Sequence, residues 1–191
     1  MTALPTLPVP PREREEGSGP RRFEPSLRIA PQRTAPLSPL PVVRPARLSD
    51  VPDLEALMAP FVETGDLLPR STYDLCRHIK EYVVAGAADG SVVACGSLKV
   101  YSLDLAEVAG LAVREDHQGT GLGRALVEAL VTEARVLGLS VVLALTRKPV
   151  FFFRLGFEPA DRESFPLKVW ADCQRCPRQH SCDEVAVALR L

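Results

Sequence analysis

The stretch that decides the fold is VREDHQGTGLGR, residues 113–124. Apolar residues typical of a strand precede it, and the apolar stripe of a long helix follows it. Gly119, Gly121 and Gly123 let the backbone approach a ligand closely. The first amides of the helix have no partner within it and carry the positive end of its dipole. The stretch therefore predicts a turn that binds a phosphate or pyrophosphate group.

Two other glycine-rich nucleotide sites do not match this turn. A P-loop requires Gly-Lys followed by Ser or Thr, and the sequence contains no such tripeptide. A dinucleotide fingerprint requires Gly-x-Gly-x-x-Gly at the first strand of a βαβ unit, whereas this turn comes late in the chain. The remaining alternative is a glycine-rich helix start that binds no ligand. The secondary structure around the turn is needed to choose between this alternative and a phosphate-binding turn.

The elements around the turn follow the order strand, two helices, three strands, helix, strand, helix, strand. Strands are predicted at 42–46, 82–88, 92–101, 107–113, 140–146 and 184–191, and helices begin near Ser49 or Asp50, Ser71 or Thr72, Leu122 and Pro149. Helical spacing of Leu75, Ile79 and Tyr82 predicts that the second helix extends to Tyr82. The order predicts a mixed α/β sheet with helices on both faces.

Composition indicates a soluble globular protein. The chain has 191 residues, 46% of them hydrophobic and 25% charged, with a net charge of -1. This near-neutral charge argues against a protein held to nucleic acid by bulk electrostatics. No stretch approaches the roughly 20 apolar residues that span a bilayer, and no secretory signal is visible. We therefore expect a cytoplasmic protein whose partners include neither nucleic acid nor a membrane.

Residues 1–41 differ from the rest of the chain in proline content. Ten of the 18 prolines lie between Pro5 and Pro41. Such a segment cannot bury enough apolar surface to offset the entropy lost on ordering. We predict a disordered Pro-rich tail over 1–41, either a docking arm or a product of a mis-assigned translation start. Residues 42–191 are then one domain.

The turn and its context resemble the GNAT acyltransferase family. The family signature is Arg/Gln-x-x-Gly-x-Gly/Ala, which Gln118 to Gly123 match. The resemblance implies a mostly antiparallel sheet with a splayed central strand pair, and acetyl-CoA as the acyl donor. It implies that strand 107–113 pairs with the pantetheine arm. The implied acetyl-CoA contacts are Leu111, Ala112, Val113, Gln118, Gly119, Thr120, Gly121, Leu122, Gly123 and Arg124.

Several segments resemble more narrowly the acetyltransferase domain of bacterial N-acetylglutamate synthases and their short, stand-alone relatives. These segments are residues 67–71, 81–85, 94–98, 105–108 and 145–146 before the phenylalanine pair 152–153. The resemblance implies transfer of acetyl to L-glutamate, which opens arginine biosynthesis. Some of these relatives carry Arg two positions after the strand glutamate, where this chain has Ala109.

Two other functions are compatible with the sequence. The first is a GNAT enzyme that acts on another small amine or on a protein N-terminus. The second is a non-catalytic module that senses CoA or scaffolds a partner. The sequence also leaves a homodimer open.

Acetyl transfer to an amine requires a group that accepts a proton from the amine. Glu107 is the candidate base because it lies on the strand that leads to the thioester, although it could be an ordinary solvated carboxylate. A backbone N–H on this strand, from Leu111, would stabilise the oxyanion. The family's usual thiolate-protonating tyrosine is Phe152 here, so we expect water or another group to protonate the thiolate.

A dicarboxylate acceptor requires cationic side chains. Arg70, Lys99 and Arg147 occupy loop or strand-end positions near the expected pocket. Each alone could be a solvated surface charge. As a group, they predict that at least one contacts the substrate.

Cys173, Cys176 and Cys182 form a cysteine-rich segment over 173–182, with His180 between them. A structural zinc site needs four ligands, usually in two pairs, and here the candidates lie within ten residues. Zinc at these cysteines, buried thiols and an oxidisable surface group all remain alternatives, and we assign no metal ligand. In a cytoplasmic protein we expect thiols or metal ligands rather than disulfides.

Overall fold

The structure is a computed structural model that describes residues 42–165, 173–176 and 178–191. The predicted tail, residues 1–41, lies outside the described residues. In the described part, the strands are β1 (Val43–Pro45), β2 (Tyr82–Gly86), β3 (Val92–Val100), β4 (Leu105–Val113), β5 (Val141–Thr146), β6 (Glu158–Pro159) and β7 (Val185–Arg190). The α-helices are α1 (Val51–Glu63), α2 (Thr72–Arg77), α3 (Leu122–Val136) and α4 (Pro149–Phe153).

The strands form one sheet in the order β1-β2-β3-β4-β5-β7-β6. All neighbouring strands are antiparallel except β4 and β5, which are parallel. These two strands pair only from Leu105–Val141 to Glu107–Leu143, although both continue beyond those residues. They therefore separate after Glu107. The predicted mixed, mostly antiparallel α/β sheet with a splayed central pair is confirmed.

Helices cover both faces of the sheet, as predicted. On one face, α3 buries Leu122, Leu126 and Leu130 against strands β2 to β5, and Phe152 of α4 joins the same core. On the other face, α1 and α2 pack over β2, β3 and β4. The apolar stripe of α3 explains this arrangement, because a helix with one apolar face must bury it against another element.

The second helix is shorter than predicted. It begins at a capping box formed by Ser71 and Asp74, and it ends at Arg77. Ile79 lies in a 3₁₀ turn, and Tyr82 begins β2, where it pairs with Ser97. Their apolar spacing mimics a helix because Ile79 and Tyr82 enter the same core through different local structures. The prediction that the helix extends to Tyr82 is therefore wrong.

Several strand ends differ from the prediction by one or two residues, and one strand was not predicted. Strand β4 begins at Leu105, two residues earlier than expected, because its first residues already pair with β5. The two-residue strand β6 was not predicted; it pairs at the edge of the sheet with β7. Proline is tolerated at such an edge, and a strand this short leaves no periodic pattern.

Within the described ranges, no helix is long and apolar enough to cross a membrane.

The packing of α3 predicts a large cost for truncating its buried face. Leu130 has 0% exposure, so Leu130→Ala should lower the free energy of unfolding by about 2–5 kcal/mol. The matched control is Val136→Ala on the same helix, which is 82% exposed and should change stability by less than about 0.5 kcal/mol. Urea denaturation of the three proteins measures both effects. Equal stability of Leu130→Ala and the unmodified protein would contradict this packing.

Candidate active site

The glycine-rich turn joins β4 to α3 through two left-handed residues. Gly119 has a φ of 74° and Gly121 a φ of 98°, a region in which side chains are strained. Gly121 is the N-cap of α3, and the first N–H that donates back to it is that of Ala125, at 3.0 Å. The amides of the first helical turn therefore have no acceptor within the helix.

Two side-chain hydrogen bonds to backbone carbonyls stabilise this turn. The Gln118 side-chain amide donates to the Val113 carbonyl at 3.0 Å, and the Thr120 hydroxyl donates to the His117 carbonyl at 2.6 Å. A Cβ on Gly123 would lie 3.4 Å from the Phe151 ring, so α3 begins directly against α4. These contacts fix the turn, while its backbone amides stay available to an anion.

Strand β4 carries a bulge next to the turn. Ser97 pairs with Ala109 and Cys95 with Ala112, so Gly110 and the residue after it face one residue of β3. The Ser97 hydroxyl donates to the Ala109 carbonyl at 3.0 Å. A bulge of this kind bends a strand and redirects its backbone groups. It lies on the part of β4 that has separated from β5.

Glu107 is the last residue of β4 that pairs with β5, and it is only 3% exposed. The Tyr101 hydroxyl donates to Glu107 Oε2 at 2.7 Å, and Lys99 lies directly across from Glu107 on β3. A buried carboxylate is costly unless it is paired or hydrogen-bonded, so these neighbours account for its position. Glu107 opens into a cleft between the separated strands.

The three predicted cations occupy different places. Arg70 and Arg147 line the cleft together with Glu107, whereas Lys99 is on β3 rather than on the cleft wall. Arg147 donates to Asp183 at 2.7 Å and to Asp66 at 2.9 Å. Its guanidinium hydrogen bond holds the pKa of Asp183 below the usual range. Arg147 thus bridges the loop after α1 to the start of β7.

Arg70 differs from Arg147 in its surroundings. It is half-buried on the loop between α1 and α2, and among the described residues it makes no ion pair. The guanidinium lies close enough to Tyr82 to oppose the effect of burial on that phenol. Burial dominates and raises the pKa of Tyr82 to about 12. Arg70 therefore presents to the cleft a positive charge that pairs with no carboxylate in the described part of the chain.

The cysteine-rich segment closes one side of the cleft. The sulfurs of Cys173, Cys176 and Cys182 belong to the cleft lining, and Arg162 donates to Cys173 Sγ at 3.1 Å. Within 42–165, 173–176 and 178–191, no group of three or more His, Cys, Asp and Glu side chains is arranged to hold a metal. The group found next to the Cys173 sulfur is the guanidinium of Arg162. The zinc alternative would require a metal ion at this place.

The predicted acetyl-CoA contacts lie around the turn and on β4. Leu111 lines the cleft, Ala112 is buried in the core beneath α1, and Val113 lies beside the start of α3. Residues 118–124 form the turn and the first residues of α3, where Arg124 pairs with Glu128 at 2.7 Å. The role of each side chain in binding acetyl-CoA stays a prediction.

Sequence reasoning missed two polar residues near the site. Tyr101 could have been found from the short connection between β3 and β4, which returns the chain toward Glu107 within six residues. Arg162 left no such signal, because it lies far along the chain from Cys173 and Cys182 and its contact depends on tertiary packing.

The structure thus combines a left-handed glycine turn at a helix start, two separating parallel strands and a buried carboxylate between them. A comparison with known protein families gives the class of the protein. Residues 51–157 match the Acetyltransferase (GNAT) family, so the chain belongs to this family and is an acyltransferase. The family expected from Gln118 to Gly123 is confirmed.

Individual relatives include an uncharacterized N-acetyltransferase and amino-acid acetyltransferases. The chain is 36% identical over 149 residues to an uncharacterized N-acetyltransferase of Chlorobaculum tepidum, covering 78% of this chain and 96% of the relative. It is 40% identical over 119 residues to the amino-acid acetyltransferase of Mycobacterium tuberculosis, covering 61% of this chain and 68% of that protein.

A solved structure is similar over most of the chain. It is N-acetylglutamate synthase from Neisseria gonorrhoeae complexed with coenzyme A and N-acetyl-glutamate, with a TM-score of 0.70 and 29% identity. The match covers 81% of this chain and 36% of the synthase. The chain likewise spans 29% of the length of several amino-acid acetyltransferases to which it is similar.

The buried phenol behind the bulge predicts a pH effect on stability. An unfolded tyrosine titrates near 10, and burial raises the pKa of Tyr82 to about 12. The folded state therefore favours the neutral phenol, and this stabilisation is present below pH 10 and lost as the pH rises through about 12. Phenylalanine cannot ionise, so the free energy of unfolding of Tyr82→Phe should fall less between pH 9 and 12 than that of the unmodified protein. The difference between the two decreases should be roughly 1–3 kcal/mol.

Urea denaturation at a series of pH values measures this effect. The matched control Tyr73→Phe removes a phenol that is 67% exposed and should follow the unmodified protein at every pH. Parallel pH profiles for Tyr82→Phe and the unmodified protein would show that the Tyr82 phenol is not buried in solution.

Proposed function

We propose that the chain transfers the acetyl group of acetyl-CoA to the α-amino group of a free amino acid, with L-glutamate as its acceptor. The observation that carries the proposal is Glu107, a buried carboxylate at the point where β4 and β5 separate. Arg70 lines the same cleft and forms no ion pair with any residue that the structure describes. A carboxylate to take a proton and a cation to bind a carboxylate suit an amino-acid acceptor.

In this proposal the glycine-rich turn holds the pyrophosphate of acetyl-CoA. The first-turn amides of α3 donate to its oxygens, and the dipole of a 15-residue helix favours the negative charge. The pantetheine arm follows the separated part of β4, where the backbone has lost its partner strand. The thioester then lies beside the bulge at Gly110, and the N–H of Leu111 donates to its carbonyl oxygen.

The reaction is a direct transfer. The acceptor nitrogen attacks the thioester carbon, a C–N bond forms, the C–S bond breaks, and the thiolate of CoA leaves. Glu107 takes the proton of the amine directly or through one water molecule, and the hydrogen bond from Tyr101 holds its carboxylate in place. Phe152 has no proton to give, so water protonates the thiolate.

The acceptor binds at the side of the cleft opposite the turn. Arg70 holds one carboxylate of glutamate, and its planar guanidinium suits a bidentate contact. Arg147 already bridges Asp66 and Asp183, so it shapes this wall and contributes less charge to the acceptor. The amino-acid acetyltransferases among the relatives support an amino-acid acceptor, and the Neisseria synthase supports glutamate.

The acceptor and the base are tested together by measuring acetylated product with a panel of amines. We expect turnover with L-glutamate and none with a protein N-terminal peptide. Glu107→Gln keeps the size of the side chain but cannot accept the proton, so kcat should fall about 10²–10⁴-fold while CoA binding stays unchanged. The matched control Glu158→Gln alters an exposed strand carboxylate and should keep full activity.

Two outcomes would contradict these assignments. Turnover with another amine and none with glutamate would reject glutamate as the acceptor. A fully active Glu107→Gln enzyme would reject Glu107 as the base.

The pyrophosphate site is tested by adding a methyl group to the turn. Gly119 has a positive φ, and its missing Cβ faces open space where we place the diphosphate. Gly119→Ala should therefore weaken CoA binding at least about tenfold, measured by calorimetry, and cost about 1–2 kcal/mol of stability. Gly90→Ala is the matched control, because Gly90 also has a positive φ and open space but lies in the β2–β3 turn.

Gly90→Ala should show the same loss of stability and keep normal CoA affinity. Equal CoA affinity for the two variants would place the diphosphate elsewhere on the protein.

A further inference from the structure

Arg162 brings two cysteines of the cysteine-rich segment to one guanidinium. Its Nη2 donates to Cys173 Sγ at 3.1 Å, and the guanidinium also lies near enough to Cys182 for both cysteines to raise the pKa of Arg162. Cys173 is buried and Cys182 is partly exposed. The two sulfurs come from positions nine residues apart in the sequence, so their convergence on one cation results from the fold of this segment.

Cys182 also has an acidic neighbour. Its Sγ lies 3.7 Å from Glu184 Oε2 and donates to that carboxylate. The carboxylate is placed to take the thiol proton, and the guanidinium is placed to pair with the thiolate that remains. The thiolate is the nucleophile in reactions with disulfides, and such cysteines stand beside cations and are partly exposed.

We propose that Cys182 and Cys173 form a thiol–disulfide site that reacts with low-molecular-weight disulfides. The Cys182 thiolate attacks one sulfur of the small disulfide, a mixed disulfide forms, and the first small thiolate leaves and takes up the proton that Cys182 gave up. The Cys173 sulfur then gives up its proton and attacks Cys182 Sγ, the bond from Cys182 to the small molecule breaks, and the second small thiolate leaves and takes up that proton. The balance is two protein thiols and one small disulfide converted to one protein disulfide and two small thiols.

The other cysteines are less suited to this reaction. Cys95 is fully buried, its thiol donates to the Gly110 carbonyl, and burial raises its pKa to about 12. Cys76 is exposed on α2, away from the cysteine-rich segment. It offers a matched control for simple exposure.

A disulfide at this place would alter the acceptor side of the cleft, a consequence that rests on the proposed function. Cys182 directly precedes Asp183, which pairs with Arg147, and Arg147 also pairs with Asp66 after α1. Joining Cys182 to Cys173 pulls on this bridge and breaks the hydrogen bond from Arg162 to Cys173. We therefore expect oxidation to reduce use of the amine acceptor and to leave CoA binding unchanged.

The test is to incubate the full chain with glutathione disulfide and to map its cysteines by mass spectrometry. Trypsin separates the three cysteines of the segment, because Arg175 and Arg178 lie between them. We expect a peptide pair linking residues 169–175 to 179–190, about 2 Da lighter than the two free peptides and released by dithiothreitol. The link should form in Cys76→Ser and be absent in Cys182→Ser and Cys173→Ser.

Arg162→Met tests the role of the guanidinium. It should slow formation of the link at least tenfold, and Arg162→Lys should restore part of the rate. The proposal is overturned if the link joins Cys176 instead, if no link forms, or if Cys182 reacts no faster than Cys76.

Activity is a separate readout, taken as acetylated product detected by mass. Oxidised protein should lose at least tenfold in kcat/KM for the acceptor and recover with dithiothreitol, while its CoA affinity is unchanged. Full activity of the linked protein would overturn the coupling to the cleft. The disulfide link is measured on protein that is not turning over substrate. Its absence therefore overturns the proposed thiol–disulfide site and says nothing about the transferase. A failure of the reduced protein to acetylate glutamate, in contrast, bears on the proposed transferase function alone.

Discussion

The parallel pairing of β4 with β5 stops at Glu107, and the rest of the site depends on that separation. Two adjacent strands that stay paired leave no room for a ligand and no free backbone groups. Here β4 continues six residues beyond its last pair with β5 and carries a bulge at Gly110. The cleft that results is lined by the buried carboxylate of Glu107 and by a free length of strand, residues 108–111, and α3 begins against Phe151, which also lines the cleft.

The two faces of the sheet support this cleft through different interactions. On one face, α3 is anchored by Leu126 and Leu130, so its N-terminus is held rigidly beside the end of β4. On the other face, Arg147 joins Asp66 in the loop after α1 to Asp183, the residue that follows the cysteine-rich segment. The side of the cleft where we propose that acetyl-CoA binds is therefore fixed by apolar packing. The side proposed for the acceptor is held by ion pairs, which are more easily altered by chemistry or by sequence change.

Much of the fold could be predicted from the sequence because its strongest signals are local. The turn at residues 118–123 and the apolar stripe of α3 can be predicted directly from the sequence, and the structure places both there. The end of α2 was misjudged because Ile79 and Tyr82 keep helical spacing while they occupy a 3₁₀ turn and a strand. The contacts of Arg147 with Asp66 and Asp183, and of Arg162 with Cys173, could not be foreseen. These contacts join residues that are separated in the chain, so they depend on tertiary packing.

The measurement that tests this account most directly is amide hydrogen exchange of the full chain with and without CoA. The account predicts slower exchange at two places on CoA binding, the amides of residues 119–124 and those of residues 109–113 on the free part of β4. It also predicts little change in the cysteine-rich segment. Protection by CoA elsewhere, with both of these stretches unchanged, would contradict the claim that the separated strand and the helix start together form the donor site.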